Sequence, residues 1–424
     1  MDFKKILIVC TSLSLLDGAT ATAGTLAEAA NKITVTGQVR VRPEFRKDLT
    51  QAVPAVPGVR EEDLSVQQRA RLGFQFDPTD HLRFFFQGQD ARDFGEEAAA
   101  LPTALGDDEG LDLHQGWIEY ANVGDSAFSF KIGRQEIAFG SERLVGKVDW
   151  SNVGRSFDAA LMNYDDENFS VNAFGSMFNK TAAGDQTWFG GLYNTWKGFP
   201  SGVLDFYYLL LQDNDGAAGV AAGTGNTLDV HTIGARIKSD PGKWDLGAEG
   251  AIQLGKFGSN SVLAYAGHGA IGYTFEDTYK PKLLLEYNYA SGDDGANNKY
   301  SKFNPLAETN HNKYGYMDLA TWSNVHDGRA EFSVVPVAKW RLGFDYHLFM
   351  VDKTGAGDTF AGIAGSAGSG KIAGHEGDVT LNYTWNENAS FLFGYSHFIP
   401  GEFLKDNGVT NHADFGYIQA VASF

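Results

Sequence analysis

Arginines placed two residues apart are the groups in this sequence best suited to chemistry. Arg40 and Arg42, then Arg69 and Arg71, occupy alternate positions in segments whose other positions are largely apolar, and Arg83, Lys131, Arg236, Lys339 and Arg341 repeat the pattern singly. A spacing of two puts both members of a pair on one face of a β-strand. The guanidinium is a planar fork that can meet a carboxylate with two parallel hydrogen bonds. Rows of such groups suit weak, repeated capture of anions, and rings of Arg or Lys are one way a pore selects them. The same arginines have a second use as scaffold. Glu44, Asp90, Glu119, Glu136, Asp149, Asp158, Glu249, Glu286 and Asp345 can pair with them across strands and stiffen a wall without touching a solute. Sequence leaves both uses open.

Other chemistries find little support. The single cysteine, Cys10, lies in the N-terminal segment, so the mature chain is expected to have no disulfide and no thiolate nucleophile. Gly365-Ser366-Ala367-Gly368-Ser369-Gly370-Lys371 resembles a phosphate loop, but Ile372 stands where Ser or Thr is required and no helical pattern follows. His375-Glu376 has no second His at metalloprotease spacing. Ser396 and His397 are adjacent in a strand-like segment, so they point to opposite faces and cannot form a nucleophile–base pair, as an outer-membrane phospholipase would need. Asp107-Asp108-Glu109 and Asp293-Asp294 are carboxylate groups that Ca²⁺ could use, against the plainer reading of solvated loop charge. No cofactor is implied. The net charge of −19 excludes a general nucleic-acid binder, which carries a basic surface.

The elements that must carry these arginines are strands. Ile33, Val35, Val39 and Val41 alternate with polar residues, as do Ala70, Leu72, Phe74 and Phe76, and Trp340, Leu342, Phe344, Tyr346 and Leu348. About eighteen such segments follow, each long enough to cross a bilayer when tilted. Their connections alternate in length. Short ones fall at Asp77 to Asp80, Asn122 to Asp125, Asp165 to Glu167, Gly198 to Gly202, Asp240 to Lys243, Glu276-Asp277, Pro336-Val337 and Asn386 to Asn388; long ones cover 47–64, 93–110, 139–155, 213–228, 292–325, 353–373 and 399–411. Short periplasmic turns with longer extracellular loops are the habit of outer-membrane barrels.

The mean hydropathy of −0.25 does not argue against a membrane protein, because a barrel strand shows lipid only every second side chain. Lys4 and Lys5, an apolar run from Ile6 to Leu16 and Ala21-Thr22-Ala23 read as a cleaved export signal over residues 1–23. Residues 24–424 are then one domain. It is an all-β, transmembrane, antiparallel up-and-down β-barrel of about 18 strands, expected in the outer membrane against lipid and lipopolysaccharide. Trp244, Tyr273, Phe275, Tyr346, Tyr383 and Trp385 suit interface girdles. Trp117 and Phe85 are candidates for inward stacking on sugar rings. The terminal Phe424 resembles the signal read by the barrel-assembly machinery.

Residues 133–158 carry the most specific pattern. They read Gly133-Arg134-Gln135-Glu136-Ile137-Ala138-Phe139-Gly140, then Arg143-Leu144-Val145-Gly146, then Asp149-Trp150-Ser151-Asn152-Val153-Gly154-Arg155-Ser156-Phe157-Asp158. With Gln68-Arg69-Ala70-Arg71-Leu72-Gly73 and Glu286-Tyr287-Asn288-Tyr289-Ala290-Ser291-Gly292-Asp293, this resembles the alginate-export family of outer-membrane proteins over nearly all of the mature chain. The resemblance implies an eighteen-stranded porin that passes an anionic uronate polysaccharide through an arginine-lined lumen. It adds Arg134, Arg143 and Arg155 to the candidates, near the third long loop, where a constriction is expected. Pore-lining or solute-contacting residues are thus Arg40, Arg69, Arg71, Arg134, Glu136, Arg143, Asp149, Arg155, Arg236 and Arg341, with Arg134, Glu136, Arg143, Asp149 and Arg155 as one cluster. The chain departs from the secretion type in having only short periplasmic turns, so any gating falls to the outer loops. The rival reading is a general porin without carbohydrate preference.

Overall fold

The computed structural model describes residues 32–47, 62–94, 110–180, 186–213, 227–293, 295, 299–355 and 357–424. The expected export signal with Cys10, the loop group Asp107-Asp108-Glu109 and most of the connections at 47–64, 93–110 and 213–228 lie outside these residues.

Eighteen strands form one barrel. They are β1 (Ile33–Lys47), β2 (Glu62–Phe76), β3 (Leu82–Asp93), β4 (Gly110–Tyr120), β5 (Phe128–Gln135) and β6 (Phe157–Asp165). Next come β7 (Phe169–Lys180), β8 (Gln186–Trp196), β9 (Gly202–Asp213), β10 (Leu228–Ser239), β11 (Trp244–Phe257) and β12 (Asn260–Thr274). The last are β13 (Lys282–Ala290), β14 (Val325–Val337), β15 (Trp340–Met350), β16 (Ile372–Asn386), β17 (Ala389–Pro400) and β18 (Ala413–Ser423). Each pairs antiparallel with its chain neighbour, and β18 returns to β1 through pairs from Gln38↔Ser423 to Lys47↔Asp414. Closure leaves no sheet edge, which is what lets strands exist in lipid, where every backbone N–H and C=O must find a partner. Phe424 completes the seam by exchanging both backbone hydrogen bonds with Gly37. A short helix, α1 (Glu402–Asp406), stands in the connection before β18.

Burial runs inside out. On β1 the apolar Ile33, Val35 and Val39 are exposed on the outer face, while Arg40, Arg42 and Glu44 are almost fully buried within the barrel. Leu283, Leu285 and Tyr287 on β13 are likewise exposed, and Glu286 and Asn288 are buried. Such a wall is stable only against lipid. At the short-turn end Trp244 lies edge-on to Tyr273, and Trp340 stacks on Tyr383.

The expected connections hold with two corrections. Eight turns of two to seven residues join strands at the end that carries both termini. At the other end seven connections are long, but 181–185 and the two-residue turn Gly258-Ser259 are short, so the alternation is not strict. The turn expected at Pro336-Val337 lies at Ala338-Lys339 instead. β14 runs on through Pro336 because the register shifts between Val334 and Val337, and a bulge accommodates a residue with no N–H to give. Lys339 therefore sits in the turn, at φ 73°, and not on a polar strand face.

Candidate functional site

The third long connection, residues 136–156, folds into the barrel and crosses it. Arg40 on β1 donates to the carbonyls of Asp149 (2.7 Å) and Ser151 (2.8 Å). On the far wall Ser141 Oγ donates to Glu249 of β11 at 3.0 Å. A second long connection, residues 291–324, lies against the first. Gly146 N–H donates to Ala307 O, Ala307 N–H to Leu144 O and Thr309 N–H to Glu142 O, at 2.8 to 3.0 Å. These bonds satisfy loop backbone that is buried without a regular ladder. Phe303, Tyr314, Met317 and Trp322 from the second connection are essentially inaccessible.

The lumen is not polar all round. On β6 to β10 the inward residues include Phe157, Phe174, Phe189, Tyr193, Tyr207, Leu209, Leu211 and Val230, joined with Ile137, Leu144 and Val145 in one apolar core. Phe139 stacks on Tyr193 at 4.8 Å. This half of the wall is where the loop is packed.

The wall at β1 and β2 is basic, whereas β13 to β16 turn Glu286, Asp327, Asp345, Glu376 and Asp378 inward. Four arginines on β1 and β2 hold the tip of residues 149–153. Arg42 donates to Trp150 O (2.7 Å), lies 3.8 Å over the Trp150 ring and pairs with Glu44. Arg69 meets the Asp149 carboxylate at 3.0 Å, and Arg71 meets the same oxygen at 3.2 Å. Arg71 also reaches Glu136 at 3.3 Å. Asp149 is 46% exposed and is the loop carboxylate shared by the two arginines. Burial alone would raise its carboxyl, but Arg69, Arg71 and Arg40 outweigh that and hold it below the usual range. Glu136 is treated the same way, its burial offset by a hydrogen bond with His114 and by Lys147 and Arg71.

The expected cluster of five does not assemble. Arg143 is 4% exposed, donating to Glu286 (2.6 Å) and to the Tyr314 hydroxyl (2.9 Å). Arg155 donates to the carbonyls of Gly146 and Glu308 at 3.1 and 3.0 Å. Arg134 lies on the outer wall, not the lumen: it shares strand parity with the exposed Phe128 and Ile132 and is paired in register with Asp158, which is 62% exposed. Only Glu136 and Asp149 join the row of Arg40, Arg69 and Arg71. Arg236 is paired with Asp205 at 2.6 Å beside the Gly140 turn of the loop.

Arg341 is the accessible member of the set, 54% exposed. It borders a cavity of about 450 Å³ together with Trp150, His311, Arg329, Glu331 and Asn382. His311 stacks on Trp150 with centroids 3.7 Å apart. Arg329, which sequence reasoning missed, is the hub of this region. It binds Asp345 (2.5 Å), Glu331 (3.2 Å) and Glu286 (3.3 Å). Its signal was present in the inward alternation Asp327, Arg329, Glu331, Ser333. Toward the short turns, Phe85 and Trp117 pair in register on the lumen side, 5.2 Å apart, with Lys131 Nζ 4.2 Å over the Trp117 ring.

A closed eighteen-stranded barrel, apolar outside and crossed by its own loops, is the architecture of an outer-membrane channel of the porin class. Comparison with solved structures gives the same fold. OccK9 (OpdG) of Pseudomonas aeruginosa matches with a TM-score of 0.63 at 10% identity over 93% of this chain and 99% of that one. OccK5 (OpdH) of the same organism matches at 0.58 and 14%, covering 92% and 98%. OccK2 (OpdF), solved in complex with glucuronate, matches at 0.60 and 12%, covering 93% and 98%. The family model described as alginate export matches residues 32–417. The chain therefore belongs to the alginate-export family and is a protein of the outer membrane. No curated protein matches it.

Proposed function

We propose that the channel passes anionic oligo- or polysaccharides of the uronate type by passive diffusion, without catalysis, along the arginine row of β1 and β2. The observation that carries this reading is the Asp149 carboxylate held between Arg69 and Arg71 at 3.0 and 3.2 Å. The row accepts a carboxylate there, and a uronate carboxylate takes the place of Asp149 when residues 147–153 give way. Arg341 at the cavity and Lys131 over Trp117 extend the path toward the short turns, where a cation beside an aromatic face suits an acidic sugar ring. The glucuronate complex of OccK2 adds a precedent on the same fold. Removal of residues 1–23 as an export signal, and recognition of Phe424 by the barrel-assembly machinery, belong to the same reading.

Uptake of oligo-uronates into proteoliposomes, set against neutral oligosaccharides of equal length, tests it. Faster entry of the uronates, reduced several-fold by Arg341→Gln and by Trp117→Ala, is the expected result. Equal rates for acidic and neutral sugars would overturn it. A second reading is a porin for small solutes without carbohydrate preference. It is favoured by the two connections that pack inside the barrel and narrow its lumen. Free passage of monosaccharides with exclusion of oligomers would decide for it.

A further inference from the structure

The outer rim where β17 meets β18 brings two histidines face to face. His397 of β17 pairs in register with Asp414 of β18, and His412 stands two residues before Asp414. Side chains two apart on an extended chain share a face. His397 Nε2 lies 3.2 Å from His412 Nδ1, with ring centroids 5.2 Å apart and planes inclined at 64°. A carboxylate stands behind the pair. Asp414 Oδ1 lies 2.8 Å from His397 Nδ1 and accepts the Tyr395 hydroxyl at 2.5 Å. The His397 side chain is 37% exposed and His412 is exposed, so solvent reaches both rings.

The carboxylate fixes a tautomer. Asp414 accepts Nδ1–H of His397, which puts the His397 lone pair on Nε2, aimed at His412. Carboxylate, then histidine, then metal is the order in which imidazole ligands are oriented and made more basic. Two ring nitrogens held by one tetrahedral ion at about 2.0–2.1 Å stand about 3.3–3.4 Å apart, close to the 3.2 Å found here. At rest one hydrogen bond joins the rings. Moving the His412 proton from Nδ1 to Nε2 through water aims both lone pairs at one point, with no net gain or loss of protons. Two other outward histidines lack this geometry. His231 and His326 each lie between a tyrosine hydroxyl on Nδ1 and a carboxylate facing Nε2, Asp229 at 3.3 Å and Asp352 at 3.6 Å.

Among the described residues no group of three or more His, Cys, Asp or Glu side chains is placed to hold a metal ion. The pair therefore offers two nitrogens and leaves the remaining positions to water. Neutral imidazole suits Zn²⁺ and Cu²⁺, whereas Ca²⁺ and Mg²⁺ take oxygen ligands. We propose that His397 and His412 form a two-nitrogen site for Zn²⁺ or Cu²⁺ at the outer mouth, with Asp414 and Tyr395 as positioning residues. The ion ties β17 to the end of the last long connection, which carries α1 and buries Phe403 and Leu404. The neighbouring cation, Lys47 of β1, is in register with Asp414 and is itself paired with Glu62 at 3.5 Å.

The test uses tag-free mature protein in detergent, stripped of metal with a chelator. Zn²⁺ is titrated calorimetrically, and Cu²⁺ is followed by electron paramagnetic resonance. The expected result is one saturable ion per chain, with two nitrogens in the Cu²⁺ spectrum. His397→Ala and His412→Ala should each weaken binding more than tenfold. Asp414→Asn should weaken it by about tenfold while keeping both nitrogens in the spectrum. His231→Ala/His326→Ala should leave it unchanged. Heat-modifiable mobility shows whether each variant folds, and the nitrogen count on the unaltered chain needs no variant. Absence of saturable binding, a spectrum with one nitrogen or none, or binding that survives in His397→Ala/His412→Ala overturns the proposal. So does binding lost in His231→Ala/His326→Ala, which would place the ion elsewhere on the rim.

Discussion

At the residue scale the lumen arginines are engaged by protein before any solute arrives. Arg40 and Arg69 each bind the carbonyls of Asp149 and Ser151, and both are almost fully buried. Removing one takes away a charged donor that both carbonyls share, at a cost of about 1.5–3 kcal/mol to loop docking. Arg40→Ala or Arg69→Ala should therefore raise single-channel conductance and speed proteolysis within residues 147–156 by tenfold or more, since about 1.4 kcal/mol is one decade. Unchanged proteolysis would show that the row does not hold the loop. Glu308 gives the loop contact a pH dependence. Burial pushes its carboxyl up to about 8, against the Trp322 N–H and the pull of Arg155. Docked, the group holds a proton that a freely solvated carboxyl, with a pKa of about 4.3, gives up. Docking is thus fully favoured below that value and weakens as pH rises through about 8. Conductance should rise between pH 5 and pH 8, and Glu308→Gln should flatten the rise; a fall over the same window would contradict the assignment.

At the element scale most strands were legible because lipid and lumen impose opposite demands on alternate residues. β1, β2, β11 and β15 show this plainly. β9 does not, because Tyr207, Leu209 and Leu211 face an apolar loop inside while Phe206 and Tyr208 face lipid outside. Where a loop packs on the inner wall, both faces become apolar and the period of two fades. β14 is less plain on its outer side, where Gly328 interrupts the apolar row, while its inward row runs Asp327, Arg329, Glu331 and Ser333. The expected cluster fails through Arg134, which the parity of Phe128, Phe130 and Ile132 assigns to the outer wall, and through Arg143 and Arg155, which are bound to Glu286, Tyr314 and loop carbonyls. The fold of residues 136–156 across the lumen was not readable, because it depends on carbonyls meeting arginines more than sixty residues away in sequence. One glycine at the loop's root is a sharp test of this joint. Gly133 has φ 129°, and a Cβ there would lie 2.2 Å from the Gly116 carbonyl oxygen. Gly133→Val should break the upper β4–β5 pairing and lower the yield of heat-modifiable barrel on refolding. A variant that refolds as wild type would show that the strand pair can relax.

At the scale of the whole molecule the barrel is a frame with an asymmetric interior. Its apolar half anchors the crossing loops, and the arginine row of β1 and β2 grips their tip through groups suited to carboxylates. Net charge does not reveal this, because −19 sums over loops and rims as well as the lumen. On the proposed reading, a carboxylate reaches the field of Arg40, Arg42, Arg69 and Arg71 once residues 147–153 give way, and the low-dielectric walls strengthen that field. The most direct test is the reversal potential of single channels of the mature protein in planar bilayers under a salt gradient, with oligo-uronates then added. The account expects anion preference and current block by the uronates, with both diminished in the double variant Arg69→Gln/Arg71→Gln. Cation preference, with a current indifferent to uronates, would contradict it.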